Sequence, residues 1–321
     1  MFDPELESFK TSIDLRAYAA NQGYTLDRKK SWRGSAVMRH LNGDKIIISR
    51  KPDGHYTYWS VRDDRDHGTI IDFVAHRKGL NLGGIRKELR AWAGVPPSSL
   101  PFLPELVAIP KNRGKVQERY ATMKVTRRHP YLEEERGIPA LVLQHWRFEG
   151  RIKIDDHGAA VFPHFDSEGL CGYEVKNRGG FTGFAPGGTK GLWLSKTSLA
   201  DRCLVICESA IDALSFAVLF PDGQARYASI GGKPNSIQPD LIRAQVKLLP
   251  QGSGVIAAMD SDDAGNHLAE VVRQAVEGAT RPDVAFRHHE PRGFKDWNDQ
   301  LRGKQQPGFL PPARLTGLDA G

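Results

Sequence analysis

The chain has 321 residues, of which 40% are hydrophobic and 26% charged. That balance belongs to folded, water-soluble domains and excludes disorder over most of the length. No apolar run approaches the roughly 20 residues of a membrane span, and the acidic opening MFDPELESFK has no apolar core, so neither a membrane anchor nor a secretory signal is expected. Three cysteines, Cys171, Cys203 and Cys207, with no Cys-x-x-Cys pair, fit a reducing, cytoplasmic setting and not a disulfide scaffold. The formal net charge of +7 favours a polyanionic partner.

Near the N-terminus, Ser12 is expected to cap a helix that runs through Ala20 and stops at Gly23. Val37–His40, Lys45–Ser49 and Tyr56–Val61 read as strands, with Asn42-Gly43 and Asp53-Gly54 as turns. Thr69 caps a helix to Arg77 that carries Ile70, Phe73 and Val74 on one face. Ile85–Ala93 reads as a further short helix. Arg28 to Lys51 holds eight basic residues and one acid, Asp44. Trp32, Tyr56, Tyr58 and Trp59 lie among or near them. Cationic strands with aromatics suit single-stranded nucleic acid, because bases stack on rings while Lys and Arg track phosphates. Arg28, Lys29, Lys30 and Arg33 are the candidate contacts. In the plainer reading, half of these aromatics are core.

Val95–Gln117 carries Pro96, Pro97, Pro101, Pro104 and Pro110, a density that sustains neither helix nor central strand. Residues 95–128 therefore read as a linker after a small α+β domain, 1–94. Seven basic residues and one acid between Lys111 and Arg128 make its second half either a solvated run or a strap for a phosphate backbone. Tyr131–Arg136 begins a helix that stops at Gly137. Ala159–Phe165 and Gly172–Lys176 are strands around a turn at Asp166–Gly169. Asn177–Gly191 is a glycine-rich loop containing Arg178 and Lys190.

Cys203–Cys207 is a short continuous apolar run of the kind found in buried parallel strands, and it ends on Glu208. Ser209 caps a helix over Ala210–Leu219. Tyr227–Ile230 is a strand that runs into Gly231-Gly232, and Leu241–Leu248 is a helix. Val255–Met259 is another apolar strand, ending on Asp260, with Asp262 two residues on and a helix to about Val276. Val284–Arg287 leads to Lys295-Asp296-Trp297-Asn298-Asp299. This alternation predicts a parallel α/β sheet with right-handed crossovers. Ligands of such sheets bind at the carboxyl ends of the strands, where Glu208, Asp260 and Asp262 fall. Three carboxylates at one edge repel unless a cation lies between them. Mg²⁺ takes one or two carboxylates, waters and substrate phosphates. An EF-hand is excluded, because the twelfth position from Asp260 is Val271.

Glu208 after an apolar strand, Gly231-Gly232 after the next, and then Met259-Asp260-Ser261-Asp262-Asp263-Ala264-Gly265 resemble a Toprim domain. The spacing of Glu208 and Asp212, and the Lys295–Asp299 segment, are similar to the bacterial primase branch. The resemblance implies that Glu208 is the catalytic carboxylate, acting with Asp260 and Asp262. It implies that Asp260, Asp262, Asp296 and Glu208 hold Mg²⁺ or Mn²⁺, and that Asp212 supports them. Upstream, Val161–Gly169 and Gly172–Arg178 resemble the primase core before Toprim, and Tyr131–Ile138 its opening helix. This implies that Lys176, Arg178 and Lys190 handle template and nucleotide phosphates. Gly68–Val74 and Gly79-Leu80 resemble the last helix of a primase zinc ribbon. The corresponding ligand positions hold Val37, His40, Val61 and Asp64, which cannot make a closed four-ligand site. A zinc-less domain is expected, with His40 structural.

The expected organisation is a degenerate zinc-ribbon-like domain over 1–94 and a linker over 95–128. A primase-core-like α+β subdomain over 129–200, a Toprim parallel-sheet domain over 201–301 and a tail over 302–321 complete it. The expected function is a primase-like nucleotidyltransferase of a plasmid or other mobile element. Its partners would be single-stranded DNA template, nucleoside triphosphates and replication or conjugation proteins of the same element. Two other readings use the same residues: a Toprim metal-dependent nuclease, and a non-enzymatic single-stranded-DNA-binding accessory protein.

Overall fold

The computed structural model describes residues 3–303, apart from 52, 64, 95, 97, 98, 100, 102, 105, 107, 108, 179 and 180. Asp64, Val95 and the tail from 304 onward thus lie outside the described residues. The chain divides into two units, one ending at Pro110 and one beginning at Lys111.

The first unit runs α1 (Pro4–Ser12), α2 (Leu15–Asn21), β1 (Tyr24–Leu26), β2 (Ala36–His40), β3 (Lys45–Arg50), β4 (Tyr56–Ser60), β5 (His67–Gly68), α3 (Ile70–Lys78) and α4 (Leu82–Ala93). Its five strands pair antiparallel in chain order. The helix expected from a Ser12 cap is corrected: it begins at Leu15 as α2, and Ser12 instead ends a separate helix, α1. Asp3 accepts from the backbone N–H of Glu5 and Leu6 and starts α1 at Pro4. Ile13 is extended and buried. Asp14 then accepts the Arg16 N–H at 2.9 Å and starts α2. A well-placed Asp competes with helix continuation by offering a cap. Thr69 stands at the N-cap of α3, as the sequence predicts, and Asp72 accepts from the Thr69 backbone N–H at 2.7 Å and from its hydroxyl at 2.9 Å. Tyr56 and Tyr58 are buried with Phe73, Met38 and Ile48 in one core, so two of the four aromatics are core residues; Trp32 and Trp59 are half-buried. Val37 is buried in β2, and Val61 is exposed after β4. The His40 ring lies 5.0 Å from that of Tyr24, and its Nδ1 accepts the Asn42 N–H. The Arg77 guanidinium joins this unit's elements by ion pairs to Asp44 at 2.8 Å and Asp66 at 2.7 Å.

The second unit begins with α5 (Arg113–Thr122), which corrects the expected linker. Val116 and Tyr120, one helical turn apart, pack with Val161 and Tyr173, while the basic residues occupy the solvent side. Arg113 pairs with Asp166. The chain continues through β6 (Lys124–Val125), a π-helical turn at Tyr131–Glu135, α6 (Ala140–Gln144), β7 (Lys153–Ile154), β8 (Ala160–Asp166), β9 (Gly169–Lys176) and β10 (Thr182–Phe184). These strands form an antiparallel sheet in the order β10-β9-β8-β7-β6.

The α/β layer expected from the sequence comes next in the chain. It comprises β11 (Trp193–Leu194), β12 (Cys203–Cys207), α7 (Ala210–Leu219), β13 (Ala225–Ser229), α8 (Gln238–Lys247), β14 (Gly254–Ala258), α9 (Asp263–Glu277), β15 (Ala285–His289) and α10 (Trp297–Leu301). The order is β11-β13-β12-β14-β15, parallel except for β11 at the edge. Alternate residues of β12 face opposite layers, as a pleated strand requires. Val205 and Cys207 pack with Ile211, Leu214 and Trp297. Leu204 and Ile206 pack with Ile242, Val246, Leu268 and Val272. Helix α7 therefore leaves β12 on one face, and α9 leaves β14 on the other. Between the carboxyl ends of these neighbouring strands the connections diverge and open a crevice. Among the described residues, no helix is long and apolar enough to cross a membrane.

Candidate active site

Glu208 follows β12 directly, and Asp260 follows β14 by two residues, so adjacent strands deliver both to the crevice. Gly265 lets the start of α9 close on this turn: a Cβ there would lie 2.0 Å from the Asp260 carbonyl oxygen. The Ser261 N–H donates to the Lys295 carbonyl at 2.9 Å, and its hydroxyl donates to the Phe294 carbonyl at 2.5 Å. These bonds bring Asp296 beside Asp260. Asp212, one turn into α7, accepts from the Ser209 hydroxyl at 2.6 Å and the Asn298 N–H at 3.3 Å. Asn298 in turn donates to the Arg136 carbonyl at 2.7 Å and the Ser215 hydroxyl at 3.0 Å.

Glu208, Asp212, Asp260 and Asp296 line one cleft of about 270 Å³, together with Tyr131, Arg136, Glu174, Lys176, Gly231 and Asn298. Burial, reinforced by mutual repulsion, pushes the carboxyls of Glu208, Asp212 and Asp260 up. Burial does the same to Asp296. Asp260 is 9% exposed, and its Oδ1 has no hydrogen-bond partner among the described residues. A buried carboxylate oxygen left open among repelling neighbours suits a hard cation. No group of three or more His, Cys, Asp or Glu among the described residues is arranged to hold a metal ion by itself. Mg²⁺ commonly uses one or two carboxylates and completes its shell with water and substrate.

Of the residues singled out in the sequence, the cleft gathers Glu208, Asp212, Asp260, Asp296 and Lys176. Asp262 stands at its edge: its carboxylate caps α9 by accepting the Gly265 N–H at 2.8 Å, while its charge still acts on Glu208 and Asp260. Asp296 caps α10 in the same way through the Asp299 N–H. The Lys190 ammonium donates to the Lys233 carbonyl at 2.7 Å and feels both Glu174 and Glu208. Arg178 is engaged outside the cleft by Glu134 and Glu135. Arg28, Lys29, Lys30 and Arg33 are exposed on the turn between β1 and β2 of the first unit. They make no ion pair among the described residues.

Glu174, Arg136, Tyr131 and Asn298 are cleft residues that the sequence does not single out. One signal for Glu174 is present. Strand alternation puts Gly172, Glu174 and Lys176 on one face, so selecting Lys176 implies its neighbour. Arg136 and Tyr131 come from the π-helical turn, where Arg136 donates to the Tyr131 hydroxyl at 2.9 Å, and no simple periodicity marks that turn.

Residues 205–301 match the sequence model of a family described as Toprim-like. This stretch is a Toprim-like domain. Residues 130–201 match a family described as a protein of unknown function, DUF3991. Together these matches cover the cleft: the Toprim-like domain brings the carboxylates, and the preceding segment brings Tyr131, Arg136, Glu174 and Lys176. Among solved structures, a DNA primase domain from Pseudomonas aeruginosa is similar at 16% identity and a TM-score of 0.34. The match covers 55% of this chain and 59% of that one. No curated protein matches this chain.

Proposed function

We propose that the protein is a primase-like nucleotidyltransferase that joins nucleotides on a single-stranded DNA template. The observation that carries this reading is the meeting of four carboxylates, Asp212 and Asp260 buried and Glu208 and Asp296 half-buried, with Lys176 and Arg136 in one cleft. Asp260 and Glu208, with Asp296 and Asp262 beside them, would hold Mg²⁺ or Mn²⁺. Such an ion would neutralise phosphate oxygens and polarise the phosphorus they surround. Lys176, Lys190 and Arg136 bind and orient the triphosphate. A 3′-hydroxyl attacks the α-phosphorus, the new O–P bond forms as the bond to pyrophosphate breaks, and Glu208 takes the hydroxyl proton. Its raised carboxyl makes it a better base than an exposed glutamate. Asp212 holds Ser209 and Asn298 in place. The basic turn of the first unit contacts template phosphates through Arg28, Lys29, Lys30 and Arg33, and Arg178 adds a further contact once released from Glu134 and Glu135.

The test is incorporation of labelled nucleotides on unprimed single-stranded DNA with Mg²⁺ or Mn²⁺. New oligonucleotides are expected from wild type and none from Glu208→Gln. Template degradation that Glu208→Gln stops would replace this reading with a nuclease. Binding with no reaction under either metal would leave an accessory protein. In the same preparations, replacing Arg28, Lys29 and Lys30 together is expected to weaken strand binding. It should also reduce the salt slope by roughly two, at about 0.7 for each phosphate no longer neutralised. An unchanged slope would remove this turn from the interface.

A further inference from the structure

Glu174 lies in β9, two residues before Lys176, and both line the carboxylate cleft. The Glu174 side chain is 6% exposed, and its Oε2 has no hydrogen-bond partner among the described residues. The Lys176 ammonium stands 4.0 Å from that oxygen and the His164 Nε2 3.9 Å. His164 is fixed from its other side, where Nδ1–H donates to the Gly191 carbonyl at 2.7 Å. Gly231 covers the opposite oxygen. Its φ is +75°, a Cβ there would lie 2.9 Å from Glu174 Oε1, and its N–H donates to the Glu208 carbonyl at 2.7 Å. The turn after strand β13, anchored to the Glu208 backbone, thus closes on Glu174.

A buried carboxylate is costly unless charge partners offset it. Burial pushes the Glu174 carboxyl up, but Lys176, His164 and Lys190 outweigh it and hold it below the usual carboxylate range. Lys176 also acts on Glu208, beside Lys295, and on Asp212. Without Glu174, its flexible stem would let the ammonium collapse onto that acidic wall. We propose that Glu174 is a positioning residue: its carboxylate holds the Lys176 ammonium on the β9 side of the cleft, where it meets a phosphate of the substrate. This rests on the phosphate-transfer function proposed for the cleft.

The two possible effects of Glu174 have opposite signs. If it contributes charge alone, Glu174→Gln removes a negative neighbour and tightens binding of a polyanion. If it positions Lys176, the same change weakens binding. The experiment is calorimetric titration of the full chain with inorganic triphosphate in Mg²⁺. It compares wild type, Glu174→Gln, Glu174→Asp, Lys176→Met and the Glu174→Gln/Lys176→Met pair, each checked for an unchanged circular dichroism spectrum. The expected result is about tenfold weaker binding for Glu174→Gln, rescue to within about threefold of wild type by Glu174→Asp, and a double variant no weaker than Lys176→Met alone. Equal or tighter binding by Glu174→Gln would overturn the assignment. So would a loss that persists undiminished when Lys176 is already absent, or a wild type that binds no triphosphate. A wild type that binds triphosphate through this pair yet incorporates no nucleotide would contradict the proposed function and leave this inference standing.

Discussion

Asp260→Asn is expected to abolish turnover and, at the same time, to stabilise the metal-free protein. Both effects come from one carboxylate. Asp260 is nearly buried, one of its oxygens has no partner among the described residues, and Asp212, Glu208, Asp296 and Asp262 all repel it. An amide of the same shape removes that repulsion. Residues retained for chemistry at a cost in stability commonly stabilise the fold when replaced. A rise of about 2–4 °C in melting temperature is expected, corresponding to about 1 kcal/mol in a unit of this size. Turnover should fall roughly 10³-fold, the loss of several kcal/mol of charge stabilisation. Calorimetry beside the incorporation assay reads both. A destabilised variant would mean that Asp260 is a structural acid. A stable variant with undiminished turnover would remove the site.

The second large effect is the pH dependence of stability. Glu208, Asp212, Asp260 and Asp296 all have carboxyls raised in the folded state. Between the unfolded value near 4 and the raised folded values, the folded chain binds more protons than the unfolded one. Stability from these groups is therefore present at low pH and lost as pH rises. Opposing contributions from groups such as Glu174, held below the usual range, cancel when wild type is compared with Asp260→Asn. The wild type is expected to lose ground against the variant between about pH 5 and 8. Mg²⁺ binds the ionised form and should reverse this, stabilising wild type more at the alkaline end. A wild-type-to-variant difference that is flat in pH would mean that these carboxyls do not repel one another in the folded protein.

Local physics decides how much of the site is legible in the sequence. Glu208 and Asp260 are legible because each comes after a short, wholly apolar strand, and a parallel sheet sets the residues beyond its strand ends at a binding edge. The helix over 210–219 is legible through its Ser209 cap. Asp262 and Asp296 show the limit of such reading. The residues that mark a site also start the next helix, so part of each carboxylate is spent on a backbone N–H. The helix at Arg113–Thr122 is hidden because proline upstream and charge throughout mask the spacing of Val116 and Tyr120, which pack against the sheet. Glu174 is only partly legible, through its alternation with Lys176. A glutamate in a hairpin strand has the local signature of a solvent-facing residue, and the neighbours that bury it, His164 and the Gly231 turn, are brought to it by the fold. The four aromatics of the first unit divide in the same way, since alternation alone does not tell which face of an antiparallel sheet its helices cover.

The central claim is that the cleft of Glu208, Asp212, Asp260 and Asp296 is a divalent-cation site. Titration of the metal-free chain with Mn²⁺, followed by electron paramagnetic resonance, tests it most directly, because free and bound ion are counted without substrate or turnover. Wild type is expected to bind Mn²⁺ with saturable stoichiometry, in competition with Mg²⁺, and Asp260→Asn to lose that binding at least tenfold, about 1.4 kcal/mol or more. No saturable binding by wild type, or equal binding by the variant, would contradict the account.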